Sequence, residues 1–223
     1  MLPENVEKEN AEENKKNQMA KKIGIFIIFL ILNVFVVKGQ KDQKESLFVV
    51  DTNTSSISWI CGSHYGCIDI DTGTIFVQND KVTGGDFKID MGSLYDEDIE
   101  QELLRLTLAN VIKSLEFFDA IHYPTAIFTI EKLIKINDNE YNVAGDLTLK
   151  DKTLPVNFNS EIVLKGDTID VNTGYFGIDR TRWGINYLSK RFDPEDKEQM
   201  HVPDEIKILI QLKAVKLKKQ EKK

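Results

Sequence analysis

From residue 47 onward the chain is cut by turn signals only two or three residues long, and the segments between them alternate apolar with polar side chains. Connections that short force neighbouring strands to pair antiparallel, because a parallel crossover needs a dozen or more residues. The alternation puts one apolar face on each strand. Strands are expected over residues 47–51 and 56–61, the latter with Ile57, Trp59 and Cys61 on one face. Asp71-Thr72-Gly73 reads as a turn before 74–77, and Asn79-Asp80 as a tight turn into 82–90, where Phe87, Ile89 and Met91 share a face. Further strands are expected at 125–133, 141–150, 153–164, 168–176 and 205–212, joined by Asn137-Asp138-Asn139, Asp151-Lys152 and Lys165-Gly166-Asp167.

One stretch breaks this pattern. Over 96–112 the spacing predicts a helix, with Asp96, Glu97 and Asp98 at its N-terminus, where negative charge complements the dipole. Leu103, Leu104, Leu106, Leu108 and Val111 form its broad apolar face. About eight or nine strands remain, and a sheet of that size either closes into a barrel or splits into a sandwich. Patterning alone leaves both open.

The N-terminal part differs in composition from the rest. Lys21 and Lys22 precede the apolar run 23–37, the pattern of a secretory signal, and the run is shorter than the roughly 20 residues a spanning helix needs. Val37-Lys38-Gly39 would place cleavage before Gln40. Residues 1–39 are therefore read as a polar leader plus signal peptide, or an uncleaved membrane anchor, with Met19 the more ordinary beginning of such a segment. The expected location is periplasmic or secreted; the alternative is membrane-anchored with the domain outside the cytoplasm. Residues 47–212 form the folded domain and 213–223 a basic tail.

A formal net charge of −7 argues against a nucleic-acid partner, which requires a concentrated basic face. The two cysteines, Cys61 and Cys67, fall in the exported domain and could pair across a glycine-bearing turn in an oxidising compartment, or stay as thiols beside it. His64 stands between them, but a fourth ligand is not evident and His122 and His201 are remote, so no metal site is expected.

Three segments, in order, resemble the signature of the YceI-like family of lipid-binding proteins. Phe117-Phe118-Asp119 followed by Tyr123-Pro124-Thr125-Ala126-Ile127-Phe128 is similar to its F-F-D … Y-P-x-A-x-F run. Gly145-Asp146-Leu147-Thr148-Leu149-Lys150 resembles its G-D-L-T-x-K/H step, and Asp179-Arg180-Thr181-Arg182-Trp183-Gly184-Ile185 its D-R-x-x-W/Y-G/D-I element. The resemblance implies an all-β fold: an eight-stranded antiparallel lipocalin-like β-barrel with one short helix and an elongated apolar interior. It also implies a ligand, a long-chain amphiphilic lipid of the polyisoprenoid or prenyl quinone type, with no cofactor. The stretch from Trp59 to Gly66 resembles a family segment ending in G-x-H-x-G but is shortened, which weakens any carry-over of ligand identity.

Positions in phase with these motifs are expected to face inward: Trp59, Phe87, Ala126, Phe128, Ile130, Leu147, Phe158 and Phe176, with Ile57, Ile89, Gly145, Leu149, Val156 and Ile178 beside them. Phe117 and Phe118 are expected either to border an entrance or to plug a barrel end. Arg180 is expected to pair with Asp179 or to hold a polar headgroup, and Trp183 to cover the mouth or pack at the rim. No nucleophile elbow or phosphate loop is visible, so binding rather than catalysis is expected. The rival expectation is a ligand-free barrel scaffold or stress-related interaction protein with a solid interior.

Overall fold

The short turns close antiparallel hairpins throughout the residues that the computed structural model describes, 45–192 and 201–218. The leader and apolar segment expected over 1–39 lie outside them. Strands β1 (Glu45–Val50), β2 (Ser56–Cys61), β3 (His64–Gln78) and β4 (Lys81–Asp96) come first. Helix α1 (Glu102–Lys113) follows, then β5 (Thr125–Lys135), β6 (Glu140–Leu149), β7 (Lys152–Lys165), β8 (Thr168–Asp179), a 3-10 turn (Arg180–Trp183) and β9 (Glu205–Lys216). Among the described residues no helix is long and apolar enough to cross a membrane.

The sheet closes. β3 pairs with β4 on one side and with β1 and β2 on the other, and β9 pairs with β8 and again with β1 and β2. β1 and β2 therefore share one position in the wall, so nine strands make a closed eight-stranded barrel. Closure removes the unpaired edges that an open sheet of this size would expose.

Turn chemistry fixes the register. Asn79 and Asp80 both adopt the left-handed region (φ 51° and 59°), the geometry of the hairpin turn whose twist matches its flanking strands. The register then sets Phe128 opposite Phe87 on β4 and Leu147 on β6, and Leu147 opposite Leu154 on β7. Because side chains alternate, Ala126, Phe128 and Ile130 share the inner face while Ile127 is exposed outside.

Several boundaries differ from the sequence expectation. Strand β3 begins at His64, far before residue 74: Asp71-Thr72-Gly73 is not a turn but part of an irregularity within the strand, where the ladder to β4 shifts between Ile70 and Thr72. Glycine inside a strand often marks such a bulge. β4 runs on to Asp96, so Asp96, Glu97 and Asp98 do not open the helix, which starts at Glu102. Only the later half of α1 docks, through Leu108, Ala109, Val111 and Ile112, while Leu103, Leu104 and Leu106 are exposed. At the other end β9 continues through Lys216, where a tail was expected from 213: Ala214 is fully buried opposite Ile169, and Lys213 and Val215 beside it are exposed.

Candidate functional site: an apolar barrel interior

The barrel is hollow. Its cavity of about 240 Å³ is lined along the barrel mostly by aliphatic and aromatic side chains, with Cys61, His64, Ser160 and Thr173 among them and no Asp, Glu, Lys or Arg. At the α1 end Leu94, Val111, Phe117 and Phe118 contribute; at the opposite end Ile75, Val82, Ile162 and Val171 do. Midway, inward-facing Phe128, Ile130, Leu147, Val156, Phe176 and Ile208 are only half-buried, although they lie inside a closed wall. Their remaining accessible surface faces the space they enclose.

Two small residues help create that space. A Cβ on Gly145 would meet the Phe128 ring at 2.7 Å, so the glycine lets that ring lie flat against the wall. A Cβ on Gly66 would meet the Trp59 indole at 2.9 Å, and the Trp59 ring lies there with its Nε1 donating to the Cys67 carbonyl. Aromatic rings then follow one another along the interior: Phe87 and Phe128 at 6.2 Å, Phe128 and Phe158 at 5.7 Å, Phe158 and Phe176 at 4.2 Å.

The β7–β8 seam is the weak part of the wall. These strands pair only from Glu161↔Asn172 to Lys165↔Thr168, and just past the last of these pairs β8 bulges in its ladder with β9, between Asn172 and Tyr175. Where the seam begins, Ser160 and Thr173 line both the apolar cavity and a polar recess that includes Asn137, Asn139, Asn159 and Asn172 together with Asp138, Glu140 and Glu161. The interior thus meets hydroxyl, amide and carboxylate groups at one end.

Ten of the twelve expected ligand-facing residues line the cavity: Trp59, Phe87, Phe117, Phe118, Ala126, Phe128, Ile130, Leu147, Phe158 and Phe176. Phe117 and Phe118 are both buried, with their rings edge-to-face at 5.0 Å, and they help fill the α1 end rather than fringe an open entrance. Arg180 and Trp183 are not in the lining. The Arg180 side chain is fully buried and donates Nε to Pro203 O, Nη1 to Ile185 O and Nη2 to both Tyr187 O and Val202 O. A headgroup role is thereby corrected: its donors are spent on backbone carbonyls, with the Phe117 ring 5.1 Å beneath. Nor does it pair with Asp179, whose carboxylate instead takes hydrogen bonds from Thr181 and Arg191. Trp183 is buried and donates Nε1 to Leu147 O at 3.1 Å, tying the 3-10 turn to β6.

Of the two alternatives left open for the cysteines, the structure has the unpaired thiols. The β2–β3 hairpin turns through two residues, so Cys61 faces His64 while Cys67 faces Ser58. The three-residue offset separates the two cysteines by about 10 Å along the strands and turns them to opposite faces, beyond what a disulfide spans. Both thiols are free. Burial pushes both thiols up, and Glu97 raises Cys67 further.

Sequence reasoning missed Ile68, Ile70 and Leu94, which line the cavity from the extended parts of β3 and β4. The signal was present, since Ile68 and Ile70 alternate with Asp69 and Asp71.

The barrel has known counterparts. BcnA of Burkholderia cenocepacia has a similar structure, with 22% identity, a TM-score of 0.60, and coverage of 74% of this chain and 99% of that one. A polyisoprenoid binding domain from Saccharophagus degradans, implicated in plant cell wall breakdown, is similar at 11% identity and a TM-score of 0.54, covering 75% of this chain and 97% of that one. At such identities the likeness is one of fold. No curated protein matches the chain by sequence. The family model of the YceI-like domain matches residues 48–214, the span of the closed barrel from β1 to β9, and on that match the chain belongs to the YceI-like family.

Proposed function

We propose that this protein is an exported binding protein that sequesters or carries one long-chain isoprenoid-type lipid, a polyisoprenoid or prenyl quinone, inside its barrel. One observation carries the reading: a cavity that runs the length of the barrel with a mostly apolar lining and no Asp, Glu, Lys or Arg in it. Each methylene buried there contributes about 0.8 kcal/mol, so a long chain gains affinity without many polar contacts. The polar recess beyond Ser160 and Thr173, where Asn137, Asn139, Asn159 and Asn172 stand among Asp138, Glu140 and Glu161, offers hydrogen-bonding groups to the polar end of such a molecule. The resemblance in fold to a polyisoprenoid binding domain supports the same ligand class. Binding is non-covalent and uses no cofactor, and the signal-like pattern ahead of the domain supports action outside the cytoplasm, either free or anchored.

The rival scaffold reading requires a packed interior, which the half-buried inner wall does not favour. Native mass spectrometry and lipid extraction of freshly purified protein separate the two. The expected result is a bound apolar chain, or stoichiometric uptake of a prenyl quinone by protein stripped of lipid. Repeated absence of both would overturn the proposal.

A further inference from the structure

We propose that His64, Asp96 and Asp98 form a divalent-cation site at the α1 end of the barrel, suited to Zn²⁺. Sequence spacing does not reveal it, because the cysteines flanking His64 take no part; the partners come from the end of β4 and the turn after it.

The fold brings them together through the β3–β4 ladder. Gly66 pairs with Asp96, the Glu97 amide donates to Tyr65 O, and the Tyr65 amide donates to Asp98 Oδ1 at 3.1 Å. His64 Nδ1 then lies 3.1 Å from Asp98 Oδ2 and 3.8 Å from Asp96 Oδ2, and one ligand atom from each residue falls within 4.8 Å of the others. Zinc bonds of about 2.0–2.2 Å in a tetrahedron set ligand atoms roughly 3.3–3.6 Å apart. The two measured separations straddle that span.

The second observation is an orphaned oxygen. Asp96 is fully buried; its Oδ1 accepts from the Ile99 amide at 3.1 Å, but Oδ2 has no hydrogen-bond partner. Buried polar atoms without a partner are rare and costly. His64 cannot supply the partner: Nδ1 carries at most one proton, and that atom is already within bonding distance of Asp98. No Lys or Arg among the described residues forms an ion pair with Asp96 or Asp98. A cation satisfies both carboxylates and the imidazole together.

Ligand chemistry selects the ion. One imidazole nitrogen with two carboxylates suits zinc or a neighbouring transition metal, whereas calcium takes six to eight oxygens and magnesium keeps most of its waters. His64 is 42% exposed and Asp98 20%, which leaves a route for entry and room for a water as fourth ligand. His64 also lines the apolar cavity, so the ion would share a wall residue with the lipid chamber.

The test is calorimetric titration of untagged, chelator-treated full-length protein with ZnCl₂ near neutral pH. One equivalent is expected to bind and to raise Tm, and Co²⁺ in its place is expected to give tetrahedral visible bands. Asp96→Asn and His64→Gln are each expected to weaken Zn²⁺ binding by at least about tenfold and to abolish the Co²⁺ bands, while His122→Gln leaves both unchanged. Should Asp96→Asn misfold, His64→Gln decides alone, since its side chain is partly exposed. Failure of the folded wild type to take up one equivalent would overturn the site and leave a proton shared by Asp96 and Asp98 as its content. Uptake that survives both substitutions would overturn it equally.

Discussion

Phe158 on β7 and Phe176 on β8 stack with ring centroids 4.2 Å apart and planes 14° from parallel, just beyond the last backbone pair that joins their strands. Side-chain stacking thus bridges the stretch of wall where the ladder has ended. Such ring pairs are worth about 0.5–1.5 kcal/mol beyond the area they bury. A double-mutant cycle of Phe158→Leu and Phe176→Leu, read by urea unfolding, should return a coupling energy in that range. A coupling near zero would mean that the rings are merely neighbours and that the bulge alone shapes the seam.

Leu147 tests the cavity directly. It faces the interior between Phe128 and Leu154. Leu147→Trp should displace about three methylenes of bound chain, weakening uptake of a prenyl quinone by about 2.4 kcal/mol or ~60-fold, with little change in Tm. Phe128→Asp should abolish uptake by placing a charge among apolar atoms, at a larger cost in stability. Quinone titration followed by tryptophan fluorescence measures both, and unchanged affinity in folded variants would remove these residues from the binding surface.

Where the structure matches the sequence reading, local pattern and global fold agree. The inward phase of β5 to β8 follows from period-two alternation anchored by short turns, so Phe128, Leu147, Phe158 and Phe176 were legible. Arg180 was not, because its partners are carbonyls of residues 185, 187, 202 and 203, and carbonyls leave no trace in side-chain spacing. Asp96 was misread for a related reason. An acidic trio before a leucine-rich run is a fair helix start, but the helix begins six residues later and Asp96 is buried at the end of a strand. The sequence left the cysteine pairing open because it depends on the hairpin register, which spacing alone does not fix.

Arg180 should behave as a structural staple. Arg180→Lys keeps the charge but replaces a five-donor fork with three donors on a flexible stem, leaving at least one buried carbonyl unpaired. A loss of about 2–4 kcal/mol in unfolding free energy is expected, with the class of lipid bound unchanged. Altered headgroup preference at wild-type stability would return Arg180 to the ligand site.

Asp179 gives the acid limb of stability a definite sign. Burial pushes its carboxyl up, but the hydrogen bonds from Thr181 and Arg191 and the Arg191 charge outweigh burial and hold it below the ordinary carboxylate range. A depressed folded pKa means that the stabilisation is complete above the unfolded value of about 3.9 and is lost as pH falls through the folded one. The urea-midpoint difference between wild type and Asp179→Asn should therefore be constant from neutral pH down to about 5 and close below about 4. A difference that persists in acid would assign the effect to hydrogen bonding by the neutral group.

The free thiols close the set, since the register makes a strong claim about them. Cys61 points into the cavity wall and Cys67 to the outer face beside Glu97, with a strand offset of about 10 Å between them. Oxidation cannot join them without breaking the β2–β3 ladder, so protein purified under oxidising conditions should still show two titratable thiols once denatured. In the native state both should react slowly at neutral pH: burial pushes each thiol up and keeps the reactive thiolate scarce. Cys61 should react more slowly still when a lipid fills the cavity, whereas Cys67 should be indifferent to it. Intact-mass measurement after alkylation reads the count, and a two-dalton deficit with no free thiol would show that the hairpin register differs from the one described.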